Sequence, residues 1–573
     1  MEKPIARFLG LTGQLFQANL SNRHPDSPIL PTRRAPWDAA LVLLFTLIAF
    51  YSASSVEGRA LAEPDRLNAI ESYIDTTWDA LTRSNQDLLA SLKDPKLGER
   101  DRWTLYVAQD VDDRTIEKDL RAKLPEAAMA QIQIRGLPAH VDDIDEHGLL
   151  YLPEPYVVPG GRFNEMYGWD SYFILVGLLR DGKTELARFM VDNFVYQVEH
   201  YGKILNANRT YYLTRSQPPF LTAMVLGVYE QNGDKEWLVG TLPAIERTYE
   251  MWISEPHLTA ETGLSRYYDL GSGPAPEVVA DERDAEGRTH YDRVREYFKT
   301  HDVRAYDEVL YYDSAKDQLT DLFYVGDRSM RESGFDPSNR FGPFNADITF
   351  YNPVCLNSLL YRMETDSAQI AHILGREEDA ERWRQRAAER KARIDRHLWD
   401  DAAGLYLDYR IPDGERRYYP FAATFYPLWV GAASKEQAAG VVANLPLFER
   451  PGGLMTSTNR SGSQWDAPFG WAPMQLIAVQ GLRRYGYDEA ADRISINFLS
   501  LVLKEFLEHN VIVEKYDVER RESDVSANIR YGYSENVIGF GWTNAAFVEL
   551  LAELPQARRE LVLRLGGIGT PGD

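Results

Sequence analysis

The chain has 573 residues, with 86 Asp and Glu against 63 Lys and Arg and a formal net charge of −23. That balance argues against clustered Lys and Arg for phosphate binding, and so against a nucleic-acid partner. A single cysteine, Cys355, excludes an intrachain disulfide and a cysteine-based metal site, and the ten histidines show no His-Glu-x-x-His spacing, so no metal or other cofactor is expected.

Residues 1–36 are polar and Pro-rich (DSPILPTRRAP) and read as a disordered leader. Residues 39–56 (AALVLLFTLIAFYSASSV) carry no charge. Their most apolar part, 39–51, is short for a membrane span and matches a signal-peptide core. Arg33 and Arg34 precede it, and Ala60-Leu61-Ala62 offers a small-x-small cleavage site. The segment 37–62 therefore reads as a cleaved signal peptide or an uncleaved signal anchor, with a buried helix as the third alternative. The first two predict export to the periplasm or the cell exterior, the second with membrane anchoring through 39–56.

From Leu67 the pattern is mostly helical. SYFILVGLLRDGK runs into TELARFMVDNFVYQVEHYGK, and SAQIAHILGRE into EDAERWRQRAAERKARIDRHLW. In the last of these, Ala380, Trp383, Ala387, Ile394 and Leu398 share one face at helical spacing, and Gly375 separates the pair. Such helical hairpins recur to WTNAAFVELLAELP. Strand signals are few; HNVIVEKYDV at 509–518 is the clearest. No Gly/Ser linker divides the chain after residue 65. The expectation is one all-α domain over 65–560, with a tail at 561–573. Pattern alone leaves a closed ring of hairpins and an open solenoid both standing.

Five segments carry chemistry. The first, at 159–173, is PGGRFNEMYGWDSYF. Gly160 and Gly161 permit a tight turn. Arg162 offers a rigid fork of donors, and Trp169 a ring. Asp170 reads either as a helix N-cap or as a ligand contact. NANRTYYLTRSQPPF at 206–220 places Asn206, Arg215 and Gln217 among rings and prolines. RESGFDPSNRF at 331–341 sets Asp336 before a proline, as an Asx turn or a functional acid. SQWDAPFGWAPMQ at 463–475 forms a rigid aromatic corner. In VIVEKYDV, Glu514 interrupts an apolar run, as a salt-bridge partner of Lys515 or a half-buried functional carboxylate. The chain is 12% aromatic, with 33 Tyr and 12 Trp, which suits both a sugar site and a large helical core. Carboxylates and rings without a phosphate loop or Ser-His pairing point to glycoside hydrolysis.

PGGRFNEMYGWDSYF and QWDAPFGWAPMQ resemble the two signature segments of trehalases, inverting glycoside hydrolases that split α,α-trehalose into two glucoses. The other three segments match in the same order, so the likeness runs from about Tyr156 to Asn544. It implies an (α/α)6 barrel, Asp336 as general acid and Glu514 as general base. It also implies sugar contacts from Arg162, Trp169, Asp170, Asn206, Arg215, Ser216, Gln217, Glu277 and Gly334. The expected partner is a small sugar, trehalose or a related glucoside.

The sequence departs from the family pattern in places. In GSGPAPEVV (271–279), Ala275 stands where the family has an arginine before Pro-Glu, and a second arginine has no counterpart in VVADER. Tyr533 falls at the spacing of a glutamate in the family's Gly-rich loop; Glu535 fits only with a shift. Phe335, Phe469 and Cys355 replace a usual Trp, Asn and Asp. Losing guanidinium groups removes charge-assisted hydrogen bonds. Three readings follow: a trehalase, an inverting hydrolase of another α-glucoside or oligosaccharide, and a non-catalytic, membrane-anchored sugar-binding protein.

Overall fold

The computed structural model describes residues 63–567 other than 280–282, 284, 285, 527, 528 and 534. The leader, the apolar run, the Ala60-Leu61-Ala62 site and residues 568–573 lie outside that set.

Among the described residues, twelve helices build the frame in alternating outer and inner positions. They are α1 (Glu63–Leu81), α2 (Asp170–Arg180), α3 (Thr184–His200), α4 (Leu221–Asn232), α5 (Lys235–Trp252), α6 (Val354–Ile373), α7 (Glu377–His397), α8 (Tyr426–Trp429), α9 (Lys435–Ala443), α10 (Ala472–Arg484), α11 (Asp488–His509) and α12 (Gly541–Glu553). The even-numbered helices pack in succession, α2 on α4, α4 on α6 and so on, and α12 packs back on α2. The ring closes, which decides between barrel and solenoid: this is an (α/α)6 barrel.

Composition explains the two layers. The inner sequences SYFILVGLL and FVELL are apolar nearly all round, and α12 is buried continuously from Gly541 to Leu551. The outer helix α7 (EEDAERWRQRAAERKARIDRH) is amphipathic, with Ala380, Ala387 and Ile394 buried on one face as the periodicity predicts. That face also carries Arg390, whose Nε donates to Glu364 Oε1 of α6 at 2.7 Å. Gly375 turns the chain between α6 and α7 at φ 72°, a left-handed conformation that favours glycine.

Two excursions interrupt the helical alternation. Between α1 and α2, β1 (Trp103–Val107) pairs in parallel with β2 (Ile132–Gly136) and β3 (Leu149–Leu150). The helical reading of the sequence did not anticipate this sheet. Its central strand is buried at every position, so it shows no alternation of apolar and polar residues. Between α5 and α6, residues 255–352 carry a separate aromatic cluster that includes Tyr291, Phe298, Tyr311, Phe323 and Phe344. The expected strand at 509–518 shrinks to β5 (Lys515–Asp517), antiparallel to β4 (Phe469–Trp471). The helix α11 extends to His509, and Asn510 ends it at φ 58°.

Ring closure depends on one small residue. A Cβ added at Gly177 of α2 would lie 2.7 Å from the Cα of Ala545 on α12 and 2.9 Å from the indole of Trp78 on α1. Backbone atoms cannot give way as a flexible side chain would. Gly177→Ala is therefore expected to destabilise the protein by about 1–3 kcal/mol, read from the urea unfolding midpoint. A midpoint equal to wild type would contradict the closure described here.

Candidate active site

The N-terminal ends of the inner helices converge on one cavity. Asp170 opens α2, Gln217 precedes α4, Trp471 precedes α10 and Trp542 lies in the first turn of α12, and all four line it. The cavity encloses about 810 Å³ including its open mouth, within the range of small-ligand sites.

Backbone pairing brings the five sequence segments to this place. The first two meet where Tyr167 bridges to Ala207 and the Trp169 N–H donates to Gln217 Oε1 at 2.8 Å. The third and fourth meet where the Trp465 N–H donates to Pro337 O and the Gln464 amide donates to Asp336 O. The fourth and fifth are strands β4 and β5, with Trp471 opposite Lys515. The Gly541 N–H donates to Pro159 O at 2.7 Å and ties the last inner helix back to the first segment.

Arg162, Trp169, Asp170, Asn206, Arg215, Gln217, Glu277, Gly334, Asp336 and Glu514 all line the cavity. Ser216 is not among the lining residues; its hydroxyl donates to Ile204 O at 2.7 Å. Asp170 is the first residue of α2 and not its cap, because Trp169 holds the cap position. Gly334 has φ 78°, and a Cβ there would lie 2.7 Å from the Trp169 indole. Glycine is required at that position both by conformation and by space. Trp465 stacks on Trp471 with centroids 3.9 Å apart, and Trp169 packs against Phe335, Trp465 and Trp542.

Further polar lining residues went unassigned as site residues in the sequence, among them Lys96, Tyr167, Tyr212, Arg331, Gln464 and Tyr533. Arg331 adjoins the Gly-Phe-Asp motif and was visible there, yet nothing marked it apart from a surface arginine. Its guanidinium donates to both Asp327 oxygens and lies 3.7 Å from Asp336 Oδ2. Ala275 is buried, and its N–H donates to the Tyr291 hydroxyl at 2.9 Å. A guanidinium thus reaches the cavity from a different segment than the one in which the family arginine was sought. Cys355 is no part of the site; it sits buried beside Arg340 and Tyr267.

The electrostatics separate the carboxyl groups. Burial pushes Asp336 up to about 7, against the pull of Arg331. Burial raises Asp170 well above the usual carboxylate range, and the charges of Glu514 and Asp336 add to the effect. Burial also acts on Glu277, but Arg215 and then Arg331 outweigh it and hold that carboxyl below its ordinary value. Glu514 accepts from the Tyr533 hydroxyl at Oε1 and from Lys515 Nζ at Oε2, the latter at 3.2 Å. Glu514 is thus the ion-pair partner of Lys515 that one alternative had it to be, and it is fully buried where the other expected half-burial, while lining the cavity. Lys515 is itself buried, which lowers its ammonium from the usual value despite Glu514. Gln464 joins the two halves, donating to Asp336 O and accepting from Lys515 Nζ at 3.1 Å.

Arg215 donates through Nε to Asp269 at 2.7 Å and through Nη1 to Glu277 at 2.5 Å. Its Nη2 and Glu277 Oε2 are buried without a hydrogen-bond partner among the described residues. Such a pair supplies one donor and one acceptor to a polyhydroxylated ligand. The one grouping with metal-ligand proximity among the described residues, Glu505, Glu508 and His509 on α11, does not line the cavity.

A family model described as Trehalase matches residues 55–555. The chain belongs to the trehalase family. It is 40% identical over 439 residues to the cytosolic neutral trehalase of Neurospora crassa, covering 69% of this chain and 57% of that one. It is 36% identical over 540 residues to the cytosolic neutral trehalase of Pyricularia oryzae, covering 83% and 72%. The match thus spans little more than half the length of the Neurospora trehalase. The structure superposes on neutral trehalase Nth1 from Saccharomyces cerevisiae with a TM-score of 0.72 at 34% identity, covering 87% of this chain and 96% of that one.

These trehalase relatives correct one expectation. The apolar run at 39–56 was read as an export signal or membrane anchor, placing the domain in the periplasm or outside the cell. Relatives at 36–40% identity are named cytosolic, which overturns that placement. Among the described residues no helix is long and apolar enough to cross a membrane. An apolar run of 13 residues behind two arginines is a local pattern that falls well short of the about 20 residues a spanning helix needs.

The Arg215 cluster is expected to stabilise the fold as well as face the cavity. Arg215→Met would leave Asp269 without its 2.7 Å partner and Glu277 without its shortest one. Stranding buried carboxylates in this way is expected to cost about 3–5 kcal/mol, measured by urea denaturation at unchanged m-value. A loss below about 1 kcal/mol, the scale of an exposed pair, would contradict it.

Proposed function

We propose that this protein hydrolyses α,α-trehalose to two glucose molecules in a single inverting displacement, within a catalytic unit spanning residues 65–560. The observation that carries the reading is a carboxyl held near neutrality, Asp336, in the same cavity as Glu514, whose two oxygens accept from Tyr533 and Lys515. Asp336 is the general acid. Its proton goes to the bridging oxygen as the bond from that oxygen to the anomeric carbon breaks. Glu514 is the general base. It takes a proton from a water whose oxygen bonds to the anomeric carbon from the opposite face. Atoms balance as trehalose plus water giving two glucoses, one released as the β-anomer. Arg162, Trp169, Asp170, Asn206, Arg215, Gln217, Glu277 and Gly334 form the walls that grip the sugars, and Ser216 supports them from behind. The family membership and the printed names of the relatives support the substrate.

A second reading, hydrolysis of another α-glucoside, draws on Ala275 at the family's arginine position. Arg331 in the cavity weighs against it, since the site keeps a guanidinium near Asp336.

A general acid must carry its proton at the start of the reaction. With Asp336 raised to about 7, kcat/KM for trehalose is expected to stay high through mildly acidic pH and to fall as pH rises through about 7. Asp336→Asn and Glu514→Gln are each expected to lower kcat by about 10²–10⁴-fold, with the trehalose Kd little changed. The measurements are glucose release across pH 4–9 (roughly the span that brackets both limbs) and proton NMR of the first anomer formed. No glucose from trehalose with folded wild-type protein would overturn the substrate, and first-formed α-glucose alone would overturn inversion.

A further inference from the structure

Tyr533 occupies the spacing at which the family pattern carries a glutamate, yet it does not leave the base unattended. Its hydroxyl donates to Glu514 Oε1, opposite the Lys515 ammonium on Oε2. The ring is held where it is. It lies 3.9 Å from Lys515 Nζ and 4.9 Å from the Arg162 guanidinium, and Tyr533 O accepts from Lys515 Nζ at 3.3 Å. Burial, with Glu514 next, raises the phenol well above its ordinary value, so it remains a donor across working pH. The backbone of Glu514 is fixed as well, its N–H donating to Val537 O and its carbonyl accepting from Trp542 Nε1.

We infer that Tyr533 is a positioning residue for the hydrolytic step, clamping with Lys515 the two oxygens of Glu514 so that a lone pair of Oε1 stays directed at the attacking water. The inference rests on Glu514 being the base, as proposed above. A carboxylate oxygen has two lone pairs, so one can accept from Tyr533 while the other receives the water's proton. With Lys515 alone the carboxylate is held by one oxygen and turns about its terminal bond. The charged and titratable groups facing Glu514 are Lys515 on its own strand, Asp170 from α2, Asp336 from the segment after helix Asp321–Glu332, Arg162 from the first segment and Tyr533 itself.

Tyr533→Phe keeps the ring against Lys515 and Arg162 and removes only the donor. Two substrates separate this inference from the substrate assignment. Trehalose needs both Asp336 and Glu514, whereas α-glucosyl fluoride carries a leaving group that needs no protonation and so isolates the base. The expected result is a drop in kcat of about tenfold on both substrates with KM within about threefold. The descending limb assigned to Asp336 should stay in place. A folded variant with wild-type kcat on the fluoride would overturn the role of Tyr533 while leaving the trehalase reading intact. Wild-type turnover of the fluoride but not of trehalose would overturn the substrate and still test Tyr533. Turnover of neither by folded wild-type protein would overturn both.

Discussion

A helix that is apolar on every side must have neighbours on every side, and the inner helices of this chain meet that demand only by closing a ring. FVELL in α12 and SYFILVGLL in α2 lie almost 400 residues apart in the chain and pack together at Gly177 and Ala545. Everything at the site follows from that closure. Four inner helices, α2, α4, α10 and α12, bring residues at or just before their N-terminal ends to one cavity, and the segments leading into those ends carry polar and aromatic residues. Those entries share the cavity, so groups remote in sequence face one another without a dedicated binding domain. Functional residues gathered on loops and element ends over a rigid frame are the expected outcome of such an arrangement.

Buried charge is what this arrangement must then accommodate. A carboxylate or guanidinium removed from water needs a partner, and the site supplies them in linked sets. Arg215 engages Asp269 and Glu277, Arg331 engages Asp327 and approaches Asp336, and Lys515 engages Glu514. Asp336 is bonded less directly. Asp336 has no carboxylate hydrogen bond from a cation, only Arg331 at 3.7 Å, so burial wins over attraction and the group keeps its proton up to about 7. Glu277 shows the opposite balance under similar burial, because Arg215 bonds it directly. The difference between a well-bonded and a poorly bonded carboxyl, a short distance apart in one cavity, is enough to give one a proton to donate and leave the other an anion.

How much of this was legible in the sequence follows from the range of the signals. Helical periodicity reports local burial, so α6, α7 and the turn at Gly375 were readable, and the five chemistry-bearing segments together held most of the lining residues. The parallel sheet around Trp103–Val107 was not readable, since a strand buried on both faces has no period. Arg390 looked like a solvent-facing residue because its partner, Glu364, lies on another helix. Lys96 reaches the cavity from a region with no site-like composition, and only the tertiary fold places it there. The apolar run at 39–56 misled in the other direction: a strong local pattern was given a meaning about location that the relatives do not share.

The departures from the family pattern carry a further lesson about what a site must preserve. Judged position by position, Ala275 and Tyr533 read as losses of a guanidinium and a carboxylate. In space the cavity still holds a guanidinium beside Asp336, from Arg331, and still holds a group bonded to Glu514, from Tyr533. The reaction needs a donor array of the right sign at a given place, whichever segment supplies it. Tyr533 is not a neutral exchange for a glutamate, however. A second carboxylate there would add like charge to the site, as Glu514 already does for Asp170, whereas the Tyr533 phenol donates to Glu514. Residue 533 is therefore a bonded neighbour of Glu514, and not a vacancy left by a missing family residue.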